Sequence, residues 1–210
     1  MKRSGYVLYV AIVSACCLVS SAVYGQSIID EWQSVKTPPA PELKMVTLDP
    51  ATTALLLLDF NKQTCNAERR PRCISSIARV EKLLKFAREK GVFVAHTISA
   101  GAAPADIAKE LAPLGSEPVV ASGPDKFLGT DLEKILKEKN IKTVVAVGTA
   151  THGAVLYTAS GAALRGMKVI VAVDGISAES LYAEQSATWI LVNAPRISAE
   201  VTLTKIELIK

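Results

Sequence analysis

TVVAVGTATHGAVLYTASGAALRG, residues 143–166, decides the fold. Its opening run, Thr143 to Val147, is continuously apolar and short, the mark of a strand buried on both faces. From His152 to Arg165 the sequence turns to Ala, Leu and other small residues and reads as a helix. A strand that feeds straight into a helix N-terminus is where many α/β enzymes hold a nucleophile. This stretch has no Cys, and no Ser before Ser160.

The same alternation extends in both directions. Upstream, Thr53 to Asp59 (TALLLLD) is a strand that ends in a carboxylate, and Ile74 to Lys90 has helical spacing through Ile77, Val80, Leu83, Leu84 and Ala87, with Gly91 as a stop. VFVAHT is a second strand, Asp106 to Leu111 a short helix and Pro118 to Val120 a short strand. DLEKILKEKN follows as an amphipathic helix capped by Thr130 or Asp131. Downstream come the strand KVIVAVDG, a long helix in SAESLYAEQSATWILVNA with Ser177 as its cap, and a final strand in AEVTLTKIEL. Strand and helix in strict succession imply a three-layer α/β fold with a parallel sheet covered on both faces. Ligands in such folds gather at the carboxyl ends of the strands.

Composition limits what this domain does. The chain has 210 residues, 50% hydrophobic, with a formal charge of +4. Lys2 and Arg3 are the only charges in the first 25 residues, so without that segment 22 basic residues face 20 acidic ones. That balance, with no basic stripe, excludes a nucleic-acid binder. Residues 1–25 have the order of a secretory signal: two basic residues, an apolar stretch from Tyr6 to about Val19, then small residues. Cleavage after Ala22 or Gly25 fits, and Val13-Ser14-Ala15-Cys16 also reads as a lipoprotein box with Cys16 as the lipid anchor. The expected organisation is a signal at 1–25, a Pro-rich arm at 26–50 that wraps the surface or joins subunits, and one domain at 51–210. The location is secreted or periplasmic.

Export governs the cysteines. Outside the signal only Cys65 and Cys73 remain, eight residues apart around a charged, Pro-containing loop, and in an oxidising compartment a disulfide is the simplest reading. Two histidines in the whole chain rule out a His-rich metal site. Gly148 and Gly153 lack the spacing of a dinucleotide fingerprint, so no cofactor is expected.

The strand ends hold the candidate chemistry: Asp59, His96, Thr151 with His152, and Asp174. Asp59 closes four leucines at the rim of a dry core, where desolvation raises a carboxyl's pKa and suits it to acid/base work. His96 and His152 are each either pocket-lining groups or hydrogen-bonded wall residues.

Three blocks, TALLLLDF, GPDKFLGTDLEKIL and VVAVGTATHGAVLYTASGAALRGMKVIVAVDGISA, resemble the signature blocks of the isochorismatase-like hydrolases, the cysteine hydrolase superfamily. The likeness runs from Leu48 to Ile209. It implies a Rossmann-like sheet of about six parallel strands, usually in a homo-oligomer, and a catalytic set of Asp, Lys and Cys. Asp59 matches the Asp. Lys126 lies in the right block beside Phe127 but several residues past the usual Lys, and either reaches the site from a shifted loop or stands as a surface charge. Ala154 takes the place of the nucleophilic Cys, with Gly148, Thr151, Val155, Thr158 and Ala159 in register. The resemblance also implies a non-proline cis peptide between Ala150 and Thr151 that aims the amides of Gly153 and Ala154 at the ligand.

Without a thiol at residue 154, an acyl-enzyme route is closed. Family members that hydrolyse a vinyl ether need none: their Asp protonates the enol-ether carbon and water adds. The helix N-terminus near His152 favours a carboxylate. The leading expectation is therefore an exported hydrolase of a small, carboxylate-bearing molecule, with Asp59 as the acid/base group. The alternatives are a silent family member that binds a small molecule or a protein partner, and a structural oligomer.

Overall fold

The computed structural model describes residues 27–210, so the signal-like segment, its cleavage positions and the Cys16 lipoprotein box lie outside the described residues. The chain divides into two units at Pro39/Ala40. In the first, residues 27–39 contain one 3-10 turn, Trp32–Ser34. The second holds six strands: β1 (Thr53–Leu58), β2 (Phe93–Ser99), β3 (Val119–Ser122), β4 (Thr143–Thr149), β5 (Lys168–Ser177) and β6 (Val201–Thr204). Its helices are α1 (Pro71–Glu89), α2 (Leu132–Glu138), α3 (Leu156–Leu164) and α4 (Leu181–Asn193).

All six strands are parallel, in the order β3-β2-β1-β4-β5-β6. The order reverses between β1 and β4, the switch point at which a doubly wound sheet opens a crevice. Alternation along each strand builds both faces. Ala54, Leu56 and Leu58 of β1 join Val144, Ala146, Ala159, Ala162 and Leu191 on the α3/α4 side. Leu55 and Leu57 join Val145, Val80, Leu83 and Leu84 on the α1 side. The four β1 leucines are all at most 2% exposed, each worth about 2 kcal/mol of burial.

Sequence pattern and structure differ mainly at element ends. Helix α1 begins at Pro71, three residues before its apolar periodicity, because proline suits the first turn and Cys73 is fixed there by its bond to Cys65. It ends at Glu89 with Lys90 as its C-cap, followed by Gly91 at φ 74°. The expected short helix 106–111 is two 3-10 turns, Pro104–Asp106 and Lys109–Leu111. The last strand stops at Thr204 and gives way to a 3-10 turn, Ile206–Leu208. Ser180, not Ser177, caps α4 by accepting the Ala183 amide at 3.2 Å, since β5 runs on through Ser177. At α2 the Thr130 hydroxyl accepts the Leu132 amide, while the Asp131 side chain makes no cap bond. Part of the expected arm belongs to the domain: Val46 bridges Ile209, and the Lys44 and Leu48 amides donate to Leu203 and Lys210.

Candidate active site

Two strand ends meet at the switch point because Gly148 has no side chain. At its φ of 143° an added Cβ would collide with the carbonyl of Leu58, so β4 passes close to the last residue of β1 only with glycine there. Asp59, the next residue, bends out of the strand at φ 57°, a left-handed conformation that Asp tolerates better than most residues. Its amide donates to the Thr97 carbonyl at 3.1 Å, and its own carbonyl accepts the Thr64 hydroxyl.

The Asp59 carboxylate is buried and both oxygens are engaged. Thr97 Oγ1 donates to Oδ1 at 2.8 Å, and Lys126 Nζ donates to Oδ2 at 2.8 Å. Lys126 is fully buried, so of its two sequence alternatives the geometry selects the shifted loop. That loop is held at several points. The Lys126 amide donates to Thr158 Oγ1 of α3, its carbonyl accepts the Thr130 hydroxyl, and Nζ also reaches the Ser122 carbonyl at 3.4 Å. Burial pushes the Asp59 carboxyl above the ordinary carboxylate range, against the opposing pull of Lys126, Thr97 and Arg70. A buried ion pair of this kind costs desolvation energy, and a function is a common reason to keep one.

The turn into α3 is a π-helical turn, Thr151–Val155, in which Gly153 has non-helical angles (φ −120°, ψ −105°). The cis peptide lies one residue earlier than expected, between Thr149 and Ala150. Thr151 is fully buried and its hydroxyl has no protein partner, while Ala154 is buried four residues ahead of Thr158. The Gly153 amide is not free for a ligand, because it donates to the Ala150 carbonyl at 3.0 Å. His152 is half exposed, with Nε2 3.9 Å from Glu179 Oε2.

His96 does not line this site. It shares the parity of Val94 and Ile98 and so faces α1, whereas its neighbour Thr97 faces Asp59. Its Nε2 meets Glu117 Oε2 at 2.9 Å, and Arg88 forms a two-point ion pair with the same carboxylate. Burial pushes the His96 imidazole below its usual value, although Glu117 acts against this. Glu117 is also held low: burial would raise it, but Arg88, the Leu114 amide and His96 together outweigh that.

Three residues beside Asp59 escaped the sequence reading. Thr97 carried no signal apart from its place on β2. Arg70, one of three arginines in ERRPR, is buried. Its Nη1 donates to the Thr64 carbonyl at 3.1 Å, and its Nη2 pairs with Glu179. Glu179 follows β5 and also meets Arg69 at 3.2 Å. The Cys65–Cys73 disulfide closes the loop that carries both arginines. No other cysteine occurs among the described residues, so none of them carries a free thiol.

The doubly wound parallel sheet of six strands is the fold of the isochorismatase-like hydrolases. The chain belongs to this family, whose Isochorismatase domain matches residues 53–204. The fold is shared with an isochorismatase-like hydrolase from Alkaliphilus metalliredigens: 24% identity, TM-score 0.67, 76% of this chain and 94% of that one. It is also shared with N-carbamoylsarcosine amidase from Thermoplasma acidophilum: 19% identity, TM-score 0.64, 74% of this chain and 97% of that one. A stretch of 73 residues is 41% identical to the secreted isochorismatase effector Isc1 of Verticillium dahliae, spanning 34% of this chain and 38% of that protein.

Proposed function

We propose that this protein is an exported hydrolase that cleaves an enol ether bearing a carboxylate, with isochorismate as the leading substrate. The observation that carries this reading is the buried Asp59–Lys126 pair in a site whose described residues include no free thiol. In this reading Ala154 occupies the place of the family's nucleophilic cysteine, which leaves an acid-catalysed route.

In that route Asp59, whose carboxyl burial pushes above the ordinary carboxylate range, delivers a proton to the terminal carbon of the enol ether. The electron pair of the double bond forms the new C–H bond, and the ether oxygen stabilises the resulting cation. Water then attacks the ether-bearing carbon of that cation and returns a proton to Asp59. The hemiketal collapses as its hydroxyl proton moves to the ether oxygen, giving an alcohol and a 2-oxo acid. Thr97 fixes one carboxyl oxygen of Asp59, and Lys126 holds the other and stabilises the carboxylate left after proton donation. The disulfide, the signal-like N-terminus and the secreted relative all favour action outside the cytoplasm.

The test is turnover of isochorismate, read as pyruvate released. Asp59→Asn keeps the shape and the left-handed backbone but removes the proton, and a loss of at least about 100-fold in kcat is expected. Alkylation by iodoacetamide leaves activity unchanged. Full turnover by Asp59→Asn, or inactivation by the alkylating agent, overturns the proposal.

A further inference from the structure

We infer that Arg70 is the specificity-determining residue that binds a carboxylate of the substrate, and that Glu179 occupies its guanidinium until that carboxylate arrives. The inference rests on the enol-ether reading for the identity of the substrate. The residues and their geometry stand apart from it.

Three strand ends converge here. Arg70 follows β1, His152 follows β4 and Glu179 follows β5, three adjacent strands that span the switch point, while Lys126 reaches Asp59 from the loop after β3. Arg70 is tied to the turn that bears Asp59. Its Nη1 donates to the Thr64 carbonyl, and the Thr64 hydroxyl donates to the carbonyls of Asp59 and Asn61. The disulfide closes the same loop across eight residues, and Asp59 feels the charge of Arg70. A buried cation has thus been fixed at a set offset from the acid.

The bonding of Arg70 is incomplete. Its side chain is only 7% exposed, and Nε, a donor that burial makes costly to leave unmet, has no protein acceptor. Its single acidic partner is a poor permanent one. The Glu179 side chain is 30% exposed and is shared among Arg69, Arg70 and His152. A partner purely for stability would be expected to sit as deep as the arginine and to use its fork in full, as Glu117 does with Arg88. Glu179 can swing to solvent and remain paired with Arg69, leaving the Arg70 fork to an incoming carboxylate. The charges agree: among the described residues the ion pairs of Arg69, Arg70 and Lys126 set three cations against the two carboxylates of Asp59 and Glu179, and protonation of Asp59 makes the site more positive still.

Opposite substitutions of this one ion pair give opposite results if the inference holds. The probe for binding is 3-(1-carboxyethoxy)benzoate, a saturated ether dicarboxylate that cannot be hydrolysed, titrated calorimetrically into the full oxidised protein. Arg70→Gln weakens binding about 10- to 100-fold, the range for a lost charge-assisted bond. Glu179→Gln removes the competitor and tightens binding several-fold. Arg70→Lys recovers part of the affinity but not the two-point geometry. The dimethyl ester of the probe responds to neither substitution. In turnover of isochorismate, Arg70→Gln raises KM far more than it lowers kcat. A structural ion pair predicts weaker binding in both the Arg70 and Glu179 variants, and that result overturns the inference, as does equal loss for the diester or no binding by the wild type. Binding that follows the expected pattern without isochorismate turnover refutes the enol-ether reading and leaves the carboxylate site standing.

Discussion

Replacing Lys126 by Met removes the cation from a fully buried pair while keeping the length and most of the volume of the side chain. Asp59 is left with Thr97 as its one remaining hydrogen-bond donor and the through-space charge of Arg70. Removing one partner of a buried pair costs about 3–5 kcal/mol, and the contacts that remain place this case near about 3 kcal/mol. For a chain of this size that lowers Tm by roughly 6–12 °C at pH 8. The sign with pH follows from the Asp59 carboxyl, already pushed up by burial and pushed further when Lys126 is gone. A carboxyl whose folded-state pKa lies above its unfolded value favours the fold fully below about pH 4, and the favour is lost as pH rises through the folded value. The penalty of Lys126→Met relative to wild type is therefore small near pH 4 and full at pH 8. Urea denaturation at the two pH values measures it, and Asp59→Asn/Lys126→Met recovers most of the loss because no charge is left stranded. An equal penalty at both pH values, or no recovery in the double variant, would refute the claim that the pair is buried and coupled.

Other consequences can be measured separately. Cys65→Ser/Cys73→Ser opens an eight-residue separation and lowers stability by about 2.5 kcal/mol on loop entropy, read by denaturation with the wild type under reducing conditions as the matching control. His96 is buried with its pKa lowered, so the stability it contributes is present above about pH 6.5 and is lost as pH falls from there through the folded-state value. Its replacement by Gln flattens that part of a Tm-against-pH curve.

The sheet was legible because its signal is local: four consecutive leucines in β1 and the TVVAV of β4 can be buried on both faces only as central strands. Asp59 was legible for the same reason, as a carboxylate at the end of such a run. His96 shows where strand-end position is too coarse. It sits between Ala95 and Thr97, and parity with Val94 and Ile98 sends it toward α1, so its partners are Arg88 and Glu117. Lys126 stayed ambiguous because its depth depends on how the loop hangs from Thr158 and Thr130, which are 32 residues downstream and four residues away. Arg70 was hidden more completely. In ERRPR three arginines look alike, and only the closure of the loop and the arrival of Glu179 from beyond β5 bury one of them.

The left-handed backbone at residue 59 restricts what this chain can carry there. Among side chains that accept such a conformation readily, Asp carries the acid, while Asn and Gly keep the turn without it. A working enzyme and a well-folded relative stripped of chemistry can then differ at that one position. Glutamate, the obvious conservative exchange in any alignment, is disfavoured by the chain itself before catalysis is considered.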